Sequence, residues 1–348
     1  IFQNAVIRAL AKNKTKESYD LLKELIIADP PLFENSYDYS SFFADIDDSL
    51  LLAKKLFPAM LHLLSIDDYK DEVMSLLVAL VDSNLLAAKD YKDFYTSIYF
   101  DAKIALKKQQ AKDENKMQIE SKQMDGNDDD NSEDDERYSP DYKLDEFATL
   151  LMPYYEKEKA VRKFFEKLLN SKDQIAQMTA VVALLKNNKP VPDSNLNSIA
   201  SNDKFRASLY GELKEINREN QFPHADKKQQ LIARSILAGN SAFNKIDSLE
   251  LVSYRAARYG ANSGNVYFYK YRVKKEDSWK IAFSGLQPAD LNEVDTNDVY
   301  TKFTDKKLDY ETPESDQFER EFEKMVILSH KSGRNFFISN DYSRFAEQ

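Results

Sequence analysis

The sequence predicts a mainly α protein, an array of helical hairpins followed by a small α+β domain in which a three-stranded antiparallel sheet carries one covering helix. Three observations predict it. Apolar residues recur at 3-4 spacing as far as about residue 239. Ser171-Lys172-Asp173 returns as Ser201-Asn202-Asp203 at an offset of 30 residues. Past Gly239 the apolar period changes from that of a helix to that of a strand.

In chain order, Ile1 to Ala11 and Lys16 to Asp29 form the first helical pair, with Leu21, Leu22, Leu25 and Ile26 on one stripe and Pro30-Pro31 ending the second helix. Tyr37, Tyr39, Phe42 and Phe43 follow. Packing against the next helices is favoured for them over a recognition patch, because interleaved large apolar residues usually fill cores. Ser49 is expected to cap a helix carrying Leu52, Leu56 and Met60, which Pro58 kinks or divides. Asp67 to Asp82 places Val73, Leu76, Leu77 and Leu80 on one stripe, and Asp90 starts a long helix with Phe94, Ile98, Ala102 and Ala105 inward. The apolar stripe of that helix stops at Leu106, and Lys107 to Lys122 is rich in Lys, Gln and Glu.

Asp125 to Glu136 holds eight acidic residues and no Lys or Arg, so most of the formal charge of −10 sits there and the remainder of the chain sums to −2. A self-repelling disordered linker is the expected reading. A calcium loop is disfavoured, since Gly126 precedes the carboxylates instead of following at the sixth position. Helices resume at Leu144 to Leu151, stop at Pro153, and continue through Lys157 to Leu169 with Val161, Phe164, Phe165 and Leu168 inward. In the repeat, Ile175, Met178, Val182 and Leu185 form one stripe and Phe205, Leu209, Leu213 and Ile216 the next, separated by the turn at Pro190 to Pro192 and by Leu196 to Ala200. Asp226 is expected to cap a last helix with Leu231, Ile232, Ser235 and Ile236. Helices this short need neighbours to bury their apolar faces, which is why the array is read as HEAT-like.

Beyond Gly239, Tyr267, Tyr269, Tyr271 and Val273 share one strand face, and Trp279, Ile281 and Phe283 alternate with Lys280, Ala282 and Ser284. Leu249 to Tyr259 supplies the third strand, turned by Gly260 to Gly264. A helix over Ser315 to Lys331 presents Phe318, Phe322, Met325, Val326 and Ser329 to one sheet face. Only Gly126 and Gly211 precede residue 239, against five glycines from Gly239 onward, which marks the same boundary. The expected domains are therefore residues 1–122 (helical array), 123–142 (acidic linker), 143–240 (array continued) and 241–348 (α+β).

The composition narrows the chemistry. Without cysteine there is no disulfide, thiolate zinc site or cysteine nucleophile. No apolar run approaches the roughly 20 residues of a membrane span. The chain begins at Ile1 with no methionine or charged, apolar leader, and is expected to be a fragment or a processed product. His62, His224 and His330 lie far apart with no metal-ligand spacing, and His330 suits a helix C-terminus. Serine elbow, Walker and dinucleotide motifs are missing, and Gly260-Ala261-Asn262-Ser263-Gly264 lacks the helix such a loop requires. Acidic pairs are expected on solvated helix faces in a chain with 59 acidic residues, so they do not point to glycosidase chemistry. Neither a catalytic residue, a metal ligand nor a cofactor is assigned.

One segment has biased surface chemistry. Arg255, Arg258, Lys270, Arg272, Lys274, Lys275 and Lys280 stand against Glu276 and Asp277 between Val252 and Phe283. Basic charge among tyrosines is a possible polyanion site. The strand period, however, sends the tyrosines to one face and Lys270 and Arg272 to the other, which favours core tyrosines beneath a solvated basic face and disfavours nucleic acid. That face also suits the chain's own acidic linker.

Lys55-Leu56-Phe57-Pro58, Leu76 to Ser83, Leu150-Leu151-Met152-Pro153-Tyr154 and Asn265 to Pro288 resemble the long C-terminal region of large bacterial TraB/GumN family proteins. The likeness runs over nearly the whole chain but contains no catalytic signature. The family's metal-dependent hydrolase chemistry belongs to a separate domain with Gly-x-x-His elements, none of which stands here, so no residue inherits a catalytic role. The resemblance implies an accessory region of an exported, periplasmic or surface-associated protein. The expected function is a noncatalytic scaffold for a protein or peptide; the alternatives are support or gating of a hydrolase domain and polyanion binding by the hairpin.

Overall fold

The computed structural model describes residues 2–28, 42–46, 49–64, 67–123, 142–239, 246–259, 262–274, 276–297, 300–309, 311–331 and 336–338. The acidic run Asp125 to Glu136, Tyr37, Tyr39, the Pro30-Pro31 stop and Lys275 lie outside them. A mainly helical region is followed by an antiparallel sheet and a C-terminal helix, and the chain divides into two compact units, Ile1–Asn187 and Asn188–Gln348.

In the first unit the helices are α1 (Phe2–Asn13), α2 (Lys16–Ala28), α3 (residues 42–46), α4 (Leu50–Leu63), α5 (Asp67–Asp82), α6 (Tyr95–Gln123), α7 (Tyr142–Leu151), α8 (Lys159–Leu169) and α9 (Gln174–Lys186). Short 3-10 helices, Ala88–Phe94 and Met152–Tyr154, precede α6 and follow α7. Packing runs from α1 to α2, α4, α5, α7 and α9, with α6 against α7 and α8. Thr15 and Ser18 exchange side-chain bonds with each other's backbone N–H at 3.1 Å, closing a reciprocal box at the start of α2. Phe42 and Phe43 are buried and pack edge-to-face at 5.2 Å, as expected of core aromatics.

Three local expectations are corrected here. Ser49 occupies the position before α4 but makes no side-chain capping bond. Of the two expectations for Pro58, division is not met: α4 runs as one helix through it, with Leu56, Phe57, Ala59 and Met60 buried on either side. In α9 the buried residues are Ala176, Ala180, Val181, Leu184 and Leu185, whereas Ile175, Met178 and Val182 are only half-buried. That helix is apolar around most of its circumference, so no stripe stood out, and its alanines allow close approach.

The scarcity of glycine in the helical part has a structural answer. α5 ends on Asn84 in the left-handed region (φ 56°), with Leu85 N–H donating to the Leu80 carbonyl at 2.9 Å. Asn188 (φ 57°) and Asn217 (φ 56°) end two further helices in the same way. Asparagine is the usual substitute for glycine there. Asn84→Gly is expected to leave the thermal midpoint nearly unchanged and Asn84→Ala to cost about 1 kcal/mol, because a Cβ without a local polar partner is strained at positive φ; thermal denaturation by circular dichroism checks both.

The second unit contains α10 (Asp193–Ser201), α11 (Arg206–Glu215), α12 (Gln229–Ala238), then β1 (Ile246–Tyr259), β2 (Asn262–Val273), β3 (Trp279–Gln287), β4 (Tyr300–Lys307), α13 (Glu314–Lys331) and the three-residue β5 (Phe336–Ile338). The second copy of the repeat departs from the first. Asp173 caps α9, accepting from the Ile175 N–H at 2.9 Å, but the aligned Asp203 caps nothing. It lies ahead of the helix and binds Arg206 and Arg234, each at 2.6 Å. The expected Asp226 cap is likewise displaced: Asp226 lies in a 3-10 turn 3.7 Å from Arg206, and Lys228 precedes α12.

The sheet order is β4-β3-β2-β1-β5, antiparallel throughout, so the expected three strands become four long ones and a short edge strand. Tyr300–Lys307 is mostly polar and carries no clear apolar alternation; Thr304 is buried, Thr301 and Phe303 are half-buried, and the exposed Lys302, Lys306 and Lys307 suit an edge. The expectation of one covering helix is also corrected. α13 seals one face with Phe318 and Phe322 on Val266, Phe268, Ile281 and Phe283. Ala233 and Leu237 of α12 pack on the other face, against Tyr267, Tyr269, Tyr271 and Ala282. The side chains of Met325, Val326 and Ser329 lie outside the described set. No helix among the described residues is long and apolar enough to cross a membrane.

Candidate functional site

The basic hairpin is the sequence-expected site, and its residues fall in different surroundings. Arg255 is buried and paired with Glu319 of α13. Lys270 lies between Glu314 (3.1 Å) and Glu250 (3.4 Å), Arg272 meets Asp247 at 3.1 Å, and Lys280 meets Glu276 at 3.0 Å. Lys270 and Arg272 also flank the ring of Trp279, at 5.2 and 5.4 Å from its centroid. Arg258 and Lys274 are exposed. The Arg272 hydrogen bond holds the Asp247 carboxyl below the usual carboxylate range. Glu250, Glu314, Glu319 and Asp247 come from outside the counted segment, so its surplus of positive charge is largely met. The tyrosines are buried on the opposite face as expected, and burial pushes the Tyr271 phenol up to about 12.

Histidine chemistry gains no cluster. His224 is exposed in a 3-10 turn, the side chains of His62 and His330 are not among the described ones, and no group of three metal-capable side chains exists among the described residues.

A concavity among the described residues lies apart from the basic hairpin. It is an open cleft of about 900 Å³ within the first unit. α4 contributes Lys54, Phe57 and Pro58; the turn after α5 contributes Leu85, Leu86 and Ala87; Ala88, Lys89 and Asp90 open the following 3-10 helix; Met152 and Pro153 follow α7; Lys186 and Asn187 close α9. Phe57, Leu86 and Met152 are buried, while Pro58, Ala87 and Pro153 are exposed, so the lining is an apolar floor with an accessible apolar rim.

Each wall is held locally. Asp90 accepts from the Ala87 N–H at 2.8 Å and its own N–H donates to the Ala87 carbonyl at 2.8 Å, fixing the turn. Two buried tyrosines then tie this segment to the one after α7. Tyr91 donates its hydroxyl to the Leu150 carbonyl at 3.0 Å, and Tyr154 donates back to the Ala88 carbonyl at 2.7 Å, with the rings edge-to-face at 5.9 Å. Asn187 Nδ2 donates to the Ala183 carbonyl at 2.9 Å, so the end of α9 is satisfied internally. Lys186 and Asp82 form an ion pair at 2.7 Å on the rim.

Burial, reinforced by Tyr95 and Asp93, pushes Tyr154 up to about 12, and burial raises Tyr91 further. A raised folded value means the latch is fully present below the unfolded phenol value of about 10 and is lost as pH rises through about 12. Tyr154→Phe is expected to cost about 1 kcal/mol, the net value of one hydrogen bond with a carbonyl left behind. Urea unfolding at neutral pH reads the loss, which should shrink toward pH 12.

The cleft contains apolar surface, lysines and carboxylates, but no nucleophile with an adjacent base and no cluster of metal ligands. Comparison with family models, with curated proteins and with solved structures gives no match.

Proposed function

We propose that this chain is a noncatalytic binding module of helical-repeat type that takes a protein or peptide segment in the cleft beside α4, α7 and α9. The observation that carries the reading is the cleft itself: apolar floor and rim, charged edges, and walls held by internal bonds, so that little ordering is needed on binding. The HEAT-like array belongs to the same reading, supported by successive helices packing as neighbours. Ala87 is exposed, extended (φ −110°, ψ 163°) and in the lining, so Ala87→Trp fills the cleft without strain. Random peptides displayed on phage should enrich on the native chain and lose at least ten-fold of that enrichment on the Ala87→Trp variant; equal enrichment on both, or none on either, rejects the reading.

The likeness to the C-terminal region of TraB/GumN proteins supports a second reading, an accessory region of an exported protein that supports or gates a separate hydrolase domain. Metal-dependent hydrolysis by this chain alone would overturn both readings. Polyanion binding by the hairpin is weakened by the carboxylates facing Arg255, Lys270, Arg272 and Lys280.

A further inference from the structure

The charges of the cleft point to the chemistry of its occupant. Lys186 is already paired with Asp82, and Asp90 is engaged by the Ala87 N–H. Lys54 and Lys89 are exposed, line the same cleft, and are ion-paired with nothing among the described residues. The acidic groups of the lining are therefore occupied while two of its cations are not. The carbonyls at the ends of α5 and α9 are also taken: Leu80, Val81, Ala183 and Leu184 all accept bonds from the following turns. Little acceptor capacity is left there for a cationic side chain, whereas two lysines lack an anion beside an apolar floor.

We infer that the occupant is an acidic peptide segment, one or two large apolar side chains on the floor at Phe57, Leu86 and Met152 with Asp or Glu beside them for Lys54 and Lys89. This rests on the cleft being a binding site and adds the partner's chemistry. Apolar burial supplies most of the affinity, and the exposed ion pairs supply selection of sign.

The test is the composition of the peptides selected from the random library on the native chain, with binding of the recovered peptides measured on native and Lys54→Glu/Lys89→Glu chains. Both lysines are exposed, so the double variant retains its fold, which circular dichroism verifies. Enrichment of Asp and Glu next to Leu, Ile or Phe is expected, with affinity falling on the order of ten-fold in the double variant. A further fall is expected as salt rises from about 0.05 to 0.5 M, where the screening length shortens to a few ångströms. Selection of basic or uncharged apolar peptides that bind both chains equally overturns the acidic assignment and leaves the binding reading intact. Failure to select any peptide that Ala87→Trp excludes overturns both.

Discussion

Phe268→Ala is expected to destabilise the second unit by about 3–5 kcal/mol, the range for removing a large aromatic from a packed core. Phe268 is 1% exposed and touches three other rings, with centroids 5.1 Å from Phe283, 5.9 Å from Phe318 and 5.3 Å from Phe322. Two of these belong to α13, so the cavity falls where that helix meets the sheet and both surfaces lose contacts. Trp279 is the only tryptophan in the chain and lies in the same sheet, so its fluorescence in urea follows this unit. Phe268→Leu should recover more than half of the loss, since most of the volume returns. A midpoint unchanged by Phe268→Ala would mean that α13 does not seal this face in solution.

Gln229→Leu is expected to cost about 3 kcal/mol, by a different mechanism. Gln229 is 3% exposed; its amide nitrogen donates to the carbonyls of Pro288, Asp290 and Glu293 at 2.7 to 2.8 Å. Its amide oxygen accepts from Asn265 Nδ2 at 3.1 Å and from the Tyr267 hydroxyl at 2.8 Å. Three carbonyls around one end and two donors around the other fix the orientation of the amide, with one of its two N–H groups shared. Leucine keeps the volume and strips the partners of their bonds, and each buried polar group left unsatisfied costs about 1–3 kcal/mol, less where the loop at 288–293 reaches water. Gln229→Glu should also destabilise, because a carboxylate then faces the same carbonyls. Equal stability of Gln229→Leu and the native chain in urea would show that the loop carries its own bonds.

Several elements were legible because they depend on short-range periodicity. The strand alternation puts Tyr267, Tyr269 and Tyr271 on one face, and that face is buried; the opposite face, expected to be solvated, is buried as well, with Phe268, Ile281 and Phe283 under α13. The helical stripes at Val73 to Leu80 and Val161 to Leu168 were equally clear, since a polar face defined each one. α9 is apolar around most of its circumference, so spacing does not single out its buried side. β4 is mostly polar, so its sequence lacks a strand's apolar alternation. The repeat at Asp203 failed for another reason: identical residues at an offset of 30 acquire different roles when Arg206 and Arg234 are near one copy only.

The sequence alone determined the change from helix to sheet near Gly239, the residues that enter most of the cores, and the absence of thiol chemistry. Those properties follow from side-chain spacing and composition, which local backbone geometry converts directly into faces. Only the tertiary structure decided what meets each face. Glu314 and Glu319 reach the hairpin's basic residues from a helix that follows them in the chain, and α12 covers the tyrosine face. The cleft rests on a latch whose two bonds span 59 and 66 residues, a separation at which no sequence period carries information. Burial and ion pairing are properties of such distant encounters, which is why the basic hairpin drew attention in the sequence and the cleft did not.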